Sequence, residues 1–441
     1  MNKSDIDERA DQTGWVLLIV QSLLIGCVTG LVVGLFRYFN DHITLFFVHH
    51  VGHPEFGAQP GLAVVIFAAL FLLAVISILL LRWERLIGGS GIPQVELMIH
   101  GDLQMVWWRV LITKFTGALA SLAGGLSLGR EGPCIMMGSS LGVAVGRLWH
   151  TPQLAHGRRF LASGGGAGLA AAFGAPIAGF CFIFEEVKLP FEPALLLSCL
   201  LACFSAVWMM QGVFGFPLVF PLAVEVLIPG SLLWAVLLIG VLLGFLGVIY
   251  NRLLIAVTLW ADATKLLPMH LRVFIPFFIS GLLLYFYPTV LVGFGVNAID
   301  LEHLALPLTA LVFLLIIKLL FSVLSYSTGV AGGLLMPILL IGAIAGANIV
   351  SGLISLGWVE TAHTGLLMAM AMAALFGSSV RAPLTGAFLM IEMTGSYTNA
   401  VPIILAAYIA SYVANKLGNE PVYDTLRERS RRQLLKKAAT A

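Results

Sequence analysis

The amino-acid sequence predicts an all-α polytopic membrane protein, and three observations lead to this fold class: its composition, a series of apolar stretches and an internal repeat. Of its 441 residues, 59% are hydrophobic and 10% are charged, and the mean hydropathy is +1.00. Soluble globular proteins carry roughly 45–50% apolar and about 25% charged residues. Because so few charged side chains cannot cover a core of this size with polar surface, we expect lipid to be the main solvent.

The same composition excludes several classes of function. The net charge of +2 and the absence of a basic run interleaved with aromatic residues argue against a nucleic-acid partner. The five cysteines are odd in number, form no CxxC pair and lie in apolar stretches, so we expect small buried residues rather than disulfides or metal ligands. We find no nucleophile–base–acid set and no phosphate-binding loop. The sequence therefore predicts neither an enzyme nor a cofactor.

Apolar stretches recur along the whole chain. The uninterrupted ones are 15–36, 61–81, 193–213, 227–249, 274–293 and 308–326, and those broken by glycine and proline are 106–150, 160–187, 332–358 and 364–415. Irregular backbone is tolerated at membrane depth only where it is buried in protein or lines a polar cavity. Transporters build their substrate sites from such discontinuous helices. We therefore expect the functional residues in the broken segments.

The chain divides into one membrane domain and two short ends. Residues 1–14 are polar with charges of both signs, unlike a secretory signal, and 15–425 form the membrane domain. The tail, 426–441, is rich in arginine and lysine, which predicts a cytoplasmic location. These basic side chains have a simpler interpretation as solvated or lipid-headgroup-facing charges. Few residues follow Tyr423, and we expect no regulatory domain.

An internal repeat divides the membrane domain into halves at approximately 15–225 and 226–425. Ala175-Pro176, Gly179 and Glu185 recur with identical spacing as Ala382-Pro383, Gly386 and Glu392. A second block pairs the glycines at 129, 132, 142 and 146 with those at 329, 332, 342 and 346. Two-fold repeats are common in transporters, with the substrate at the interface of the repeats. A gene duplication without transport function is the alternative.

Three short glycine-rich segments are candidates for an anion site: GSGIP at 89–93, GREGP at 129–133 and GGLLMP at 332–337. A glycine turn that opens a helix leaves backbone N–H groups free at the positive end of the helix dipole. Such an end binds an anion without a full positive charge. The alternative is that these glycines only let helices pack closely.

Glu131 lies inside the second of these segments. Intramembrane acids are candidates for function by default, because a charge is costly in lipid. An ionised Glu131 could itself occupy an anion site, and its protonation would release it, which couples a proton to an anion. A salt bridge between Glu131 and the adjacent Arg130 is the alternative.

In this order, the three segments resemble motifs of the CLC family of chloride channels and transporters. The stretch that ends at Glu185-Glu186 and the late Tyr423 in the run PVY strengthen the resemblance, which covers about residues 15 to 425. The resemblance implies a fold of two inverted repeats with many tilted and broken helices. It also implies a homodimer in the lipid bilayer with one pore per subunit, and for a chain without regulatory domains a bacterial inner membrane with both termini cytoplasmic.

The resemblance also implies roles for individual residues. The implied chloride-binding residues are Ser90, Gly91, Ile92, Leu334, Leu335 and Tyr423. Glu131 matches the external gating glutamate, and Glu186 matches the internal glutamate that passes protons from the cytoplasm. Lys114 matches a buried basic residue with a supporting electrostatic role.

An acid at Glu186 favours secondary active transport, with two chlorides exchanged per proton, because channel members of the family usually lack it. The alternatives are a passive chloride channel gated by voltage or pH, an exchanger for fluoride or nitrate, and, for Glu186 itself, a solvated acid beside Lys188. Ser90 favours chloride, since nitrate-preferring members carry proline there. The family usually has phenylalanine where this chain has Leu335, which leaves its rate and selectivity open.

Overall fold

The computed structural model describes residues 3–51, 60–149, 154–220, 222–263, 268–286 and 306–438, and over these ranges it is helical with no β-strand. The first eight helices are α1 (Lys3–Val51), α2 (Pro60–Trp83), α3 (Ile92–His100), α4 (Trp107–Ala123), α5 (Glu131–Leu148), α6 (Leu154–Phe173), α7 (Pro176–Glu185) and α8 (Pro193–Phe214). The other eight are α9 (Leu233–Ala263), α10 (Met269–Phe286), α11 (Leu308–Ser327), α12 (Leu335–Ser355), α13 (Thr364–Val380), α14 (Pro383–Thr394), α15 (Ala400–Lys416) and α16 (Val422–Ala438). The predicted all-α class is confirmed.

Seven helical segments of the described chain are long and apolar enough to cross a membrane. They are Gly14–Ile43, Gly61–Trp83, Pro193–Phe214, Gly230–Ala263, Leu308–Ser327, Leu335–Ser355 and Thr361–Val380. Five of the six uninterrupted apolar stretches fall on these segments, while the sixth coincides with α10 up to Phe286 and its residues 287–293 lie outside the described ranges. The span that contains α13 is 94% buried, so this helix forms the centre of the second half.

Short helices interrupt the membrane domain where glycine and proline break the apolar pattern. α3, α7 and α14 have 9, 10 and 12 residues, too few to cross a hydrocarbon core that needs about 20. Each carries a proline in its first turn, where the missing N–H costs nothing. Their ends therefore lie inside the protein, as the broken segments predicted.

The two halves contact each other through reciprocal pairs. Gly129 N–H donates to the Gly333 carbonyl at 2.8 Å, and Gly333 N–H donates to the Gly129 carbonyl at 2.7 Å. α5 and α12 begin two residues later, at Glu131 and Leu335. Equivalent positions in this block are thus 204 residues apart, as are Pro133 and Pro337.

From the sequence, the glycines at 129, 132, 142 and 146 are paired with glycines 200 residues later. Because the observed separation is 204 residues, that prediction is wrong by four residues. Four residues are close to one helical turn of 3.6 residues. Because small residues recur every fourth position on one face of each helix, the two glycine series overlay at either separation. Those series are Gly138, Gly142 and Gly146 in α5 and Gly342 and Gly346 in α12.

A second reciprocal pair explains the other repeated block. Glu185 at the end of α7 accepts hydrogen bonds from the Leu384 and Thr385 amides of α14 at 3.0 and 2.8 Å. Glu392 of α14 accepts from the Ile177 and Ala178 amides of α7 at 3.0 and 2.9 Å. Each acid caps the positive end of the other half's helix. Such an exchange of identical contacts is what a two-fold relation between the halves requires.

Candidate functional site

The three glycine-rich segments meet at the interface of the halves. Gly89 N–H donates to the Gly329 and Val330 carbonyls at 3.1 and 3.0 Å, and Gly332 N–H donates back to the Gly89 carbonyl at 3.0 Å. The Gly129–Gly333 pair joins the GREGP segment to the same loop. The structure therefore brings the first turns of α3, α5 and α12 together, although they are far apart in sequence.

Ser90 lies on the turn that opens α3. Gly91 has φ of +93°, a left-handed conformation that favours glycine, and α3 begins at the next residue. Ser90 is 1% exposed, and its Oγ lies 3.5 Å from the Ile92 amide nitrogen. A Cβ on Gly132 would meet the Ser90 carbonyl oxygen at 2.5 Å, so the first turn of α5 packs directly on Ser90.

Lys114 of α4 binds the backbone immediately before Ser90. Its Nζ donates to the Ile87 and Gly89 carbonyls, both at 2.7 Å, and the side chain is fully buried. The described residues place no acid in hydrogen-bonding contact with it, so its N–H donors serve the backbone next to Ser90. This arrangement favours an anion at the turn.

Glu131 is the first residue of α5 and is fully buried. The Met336 amide at the start of α12 donates to Glu131 Oε1 at 3.0 Å, and the Leu335 amide faces the same carboxylate. A negative group therefore lies at the N-terminus of a helix, where an anion is stabilised. Oε2 has no hydrogen-bond partner among the described residues.

Glycines on both sides make room for this carboxylate. A Cβ on Gly129 would lie 2.0 Å from Glu131 Oε1, and one on Gly333 would lie 2.5 Å from the same atom. Neither glycine has a positive φ. Both positions are therefore required for space around the carboxylate rather than for an unusual backbone conformation.

Arg130 turns away from Glu131 and pairs with another acid. Its Nη1 lies 3.1 Å from Asp41 Oδ1, and Arg37 contacts the other oxygen of the same carboxylate at 3.6 Å. The structure thus does not support the alternative in which Glu131 is neutralised by a salt bridge to Arg130. Two guanidinium groups share one carboxylate beside Glu131, which gives this end of the site a positive potential.

Tyr423 approaches the site from the first turn of α16 and is fully buried. Its hydroxyl faces the Ser90 side chain, but within the described ranges the geometry of the two groups falls short of a hydrogen bond. Buried hydroxyl groups are almost always hydrogen-bonded. An unpaired O–H next to Ser90 is suited to an anionic acceptor. Tyr423 also interacts electrostatically with both Glu131 and Glu186.

Glu186 follows α7 directly and is 2% exposed. Lys188, the neighbour considered as its partner, pairs instead with Asp424 at 2.7 Å. Glu186 is therefore not a solvated acid paired to Lys188. Its Oε1 has no hydrogen-bond partner in the described part of the chain.

The structure thus brings together the helix starts that carry Ser90, Gly91, Ile92, Glu131, Leu334 and Leu335, with Tyr423 facing Ser90 and Glu186 within electrostatic range of Tyr423. Sequence reasoning missed the amide of Met336 and the side chains of Asp41, Glu96, Asp424 and Arg427. Glu96 carried a usable signal, because it is an acid inside the short apolar helix α3. The others had none, since their partners are distant in sequence.

Other glycines of the broken segments serve helix packing. A Cβ on Gly138 of α5 would meet the Gly164 carbonyl oxygen of α6 at 2.1 Å, and one on Gly164 would meet the Gly138 carbonyl oxygen at the same distance. Close approach of helices through small residues is the general habit of membrane proteins. The packing interpretation is therefore right for these glycines and insufficient for Gly91, Gly129 and Gly333.

Comparisons with known proteins show the family to which the chain belongs. A family model described as "Voltage gated chloride channel" matches residues 72–415. The H(+)/Cl(-) exchange transporter ClcA of Cronobacter sakazakii is 32% identical over 432 residues, which cover 92% of this chain and 89% of the relative. The protein of the same name from Vibrio parahaemolyticus is 33% identical over 386 residues, or 84% of this chain and 80% of the relative.

Solved structures give the same result. A slow cyanobacterial Cl−/H+ antiporter superposes with a TM-score of 0.86 at 29% identity, covering 94% of this chain and 98% of the other. A CLC-type fluoride/proton antiporter shares the fold with a TM-score of 0.76 at 21% identity, covering 93% and 98%. The predicted fold of two inverted repeats with broken helices is confirmed, and so is the prediction of an ion-transport protein rather than an enzyme. This chain is a multi-pass membrane protein of the voltage gated chloride channel, or CLC, family.

Proposed function

We propose that this protein is a secondary active transporter that exchanges chloride for protons. The observation that carries the proposal is the Glu131 carboxylate on the Met336 amide at the start of α12. A group that can take up a proton occupies a place suited to an anion. The relatives named as chloride/proton exchangers match nearly the whole chain and support the same function.

Glu131 acts as the external gate and as the proton acceptor. In its ionised form it competes with chloride for the N-terminus of α12. Protonation removes the charge that the helix end stabilises, so the side chain leaves and chloride takes its place. One site thus binds either a carboxylate or a halide, and this competition couples the two ions.

Chloride binds next to this gate between α3, α12 and α16. The hydroxyl groups of Ser90 and Tyr423 donate from two sides, and the backbone at Gly91, Ile92, Leu334 and Leu335 supplies helix-end N–H groups. The unpaired Tyr423 hydroxyl and the charge of Lys114 support this placement. Partial charges stabilise the anion while still allowing it to leave, as conduction requires.

Glu186 is the internal proton-transfer residue. It is buried, its Oε1 is unpaired among the described atoms, and Tyr423 lies near both it and Glu131. An acid that was needed only for solubility would face water. Its burial therefore supports coupled exchange over a passive channel.

The proposal places the protein in a bacterial inner membrane as a homodimer with one pore per subunit, both termini on the cytoplasmic side and repeat halves near 15–225 and 226–425. Basic side chains gather around α16 and support this orientation by the positive-inside rule. These side chains are Lys188, Arg252, Arg381, Arg427 and Arg429.

The test is a flux measurement on purified protein in liposomes loaded with chloride, with external chloride and pH recorded together. We expect chloride efflux to drive protons into the liposomes, with about two chlorides per proton as the family resemblance implies, and a protonophore to abolish the pH change. Glu186→Gln should stop proton movement while chloride still flows. Chloride efflux without any proton movement in the wild type would identify a passive channel instead.

Glu360→Gln is the matched control, because Glu360 is an exposed acid outside the site. It should leave both fluxes unchanged. The same assay with fluoride or nitrate in place of chloride tests the remaining alternatives. A faster coupled flux with either anion would overturn the assignment of chloride as the substrate.

A further inference from the structure

Glu186 lies against a small group of charged side chains that the chloride site does not use. The charged side chains in its surroundings are Glu96 from α3, Asp424 and Arg427 from α16, and Lys188 from its own loop. Tyr423 of α16 also faces it. We refer to Glu96, Lys188, Asp424 and Arg427 as the inner ion network.

Three short contacts link this network. Arg427 Nη1 lies 3.0 Å from Glu96 Oε2, and Arg427 Nη2 lies 2.9 Å from Asp424 Oδ1. The other oxygen of Asp424 lies 2.7 Å from Lys188 Nζ. The network therefore runs without a break from the loop after α7, through α16, to the helix that carries the Ser90 turn.

One member of the network is fully buried, while the side chains of the other three are partly exposed. The exposed fraction of the side chain is 55% for Lys188, 30% for Arg427, 23% for Asp424 and 0% for Glu96. Glu96 and Glu186, at 0% and 2% exposed, are the buried acids of this region, and the Oε1 atom of each has no hydrogen-bond partner in the described structure. Buried polar atoms of this kind call for a ligand or a proton.

The charges do not balance when all three acids are ionised. Glu96, Asp424 and Glu186 would carry three negative charges against the two positive charges of Lys188 and Arg427. The two buried members of this group are Glu96 and Glu186, where an unbalanced charge is costly, and one bound proton removes it. Because Arg427 is bonded to Glu96, its positive charge stabilises the ionised form of Glu96 and leaves the proton to Glu186.

We propose that Glu96 is a second proton-holding acid on the cytoplasmic side, and that Arg427 determines whether the shared proton resides on Glu96 or on Glu186. In the transfer step the O–H bond of protonated Glu96 breaks and an O–H bond on Glu186 forms, while the negative charge passes from Glu186 to Glu96. The inference rests on the proposed chloride/proton exchange and names further residues for it.

Two substitutions should act in opposite directions. Glu96→Gln removes a negative charge and frees Arg427 for Glu186, so Glu186 takes up a proton less readily and the pH dependence of proton flux shifts toward acid. Arg427→Gln removes a positive charge, so the network retains its proton to higher pH and the dependence shifts toward alkaline. One nearby charge changes such an equilibrium by about one pH unit or more. A purely structural role would not give opposite shifts.

The experiment measures proton and chloride flux of the variants in liposomes across a pH series. In parallel, the infrared band of protonated carboxyl groups is titrated on the purified protein, with Glu186→Gln used to assign the band. We expect chloride flux near the wild-type value for both variants and opposite shifts in both readouts. Glu428→Gln is the matched control: it lies on α16, is 51% exposed and pairs with Arg432, so it should shift neither readout.

The outcomes separate this inference from the proposed function. If the wild type moves protons but the two variants shift together or not at all, the role of Glu96 and Arg427 is refuted while chloride/proton exchange stands. If the wild type moves no protons but the infrared midpoints still shift in opposite directions, exchange is refuted and the shared proton stands. A variant that also loses chloride flux is judged by the infrared titration alone.

Discussion

The space around Glu131 makes Gly129→Ala the sharpest test of the gate. Alanine keeps the backbone pair with Gly333 and fits the backbone conformation, since φ at Gly129 is not positive. The new Cβ would lie 2.0 Å from Oε1 and 2.3 Å from Oε2 of Glu131. Because the obstacle is the end of a flexible side chain, the carboxylate can yield. The substitution should therefore displace the gate without disturbing the fold.

The magnitude follows from the interactions that the carboxylate loses. A hydrogen bond to a charged acceptor is worth about 1.5–3 kcal/mol, and the helix end adds about 0.3–1 kcal/mol. The sum of about 2–4 kcal/mol corresponds to a change of roughly 30-fold to 700-fold in the occupancy of the α12 site by Glu131. Chloride should then enter without waiting for a proton.

The assay is chloride efflux from liposomes at mildly alkaline and mildly acidic pH. We expect wild-type flux to rise on acidification and Gly129→Ala flux to be nearly independent of pH and to move few protons, like Glu131→Gln. Gly352→Ala, in the helix α12 whose start binds Glu131, is the control, because the new Cβ would meet nothing within 4 Å. Wild-type coupling and pH dependence in Gly129→Ala would refute the role of the Glu131–Met336 contact.

Three further perturbations test the supporting structure. Glu185→Ala leaves two amide N–H groups of α14 unpaired, so the free energy of unfolding in a denaturant titration should fall by about 3 kcal/mol; a loss below about 1 kcal/mol would contradict the capping role. Lys114→Met removes both hydrogen bonds to the backbone before Ser90 and should weaken chloride binding in a calorimetric titration. An unchanged chloride affinity would show that Lys114 does not contribute to anion binding. Asp41→Asn removes the acid that pairs with Arg130, and because that carboxylate is 37% exposed, the free energy of unfolding should change by at most about 1 kcal/mol. Chloride flux should become more sensitive to ionic strength. An unchanged salt dependence would argue against a positive potential at the end of the site where Arg130 lies.

Much of the site followed from local patterns. Helix starts depend on residues within one turn, so GSGIP, GREGP and the segment before Pro337 could be placed at helix N-termini without a structure. The cost of a charge in lipid identified Glu131, and the same rule applied to α3 would have identified Glu96. The register of the glycine repeat was predicted wrongly, because a helix repeats its face every turn and cannot distinguish separations that differ by four residues.

By itself, the sequence determined that the chain spans a membrane, that its functional segments are broken helices and that it carries an internal repeat, because hydropathy and glycine or proline placement act over short distances. Only the tertiary structure decided which groups pair. Met336 lies 205 residues from the carboxylate that it binds, and Arg427 lies 331 residues from Glu96. A side chain finds such a partner only when packed helices bring it there, and in a low-dielectric interior that partner decides whether the charge is stable.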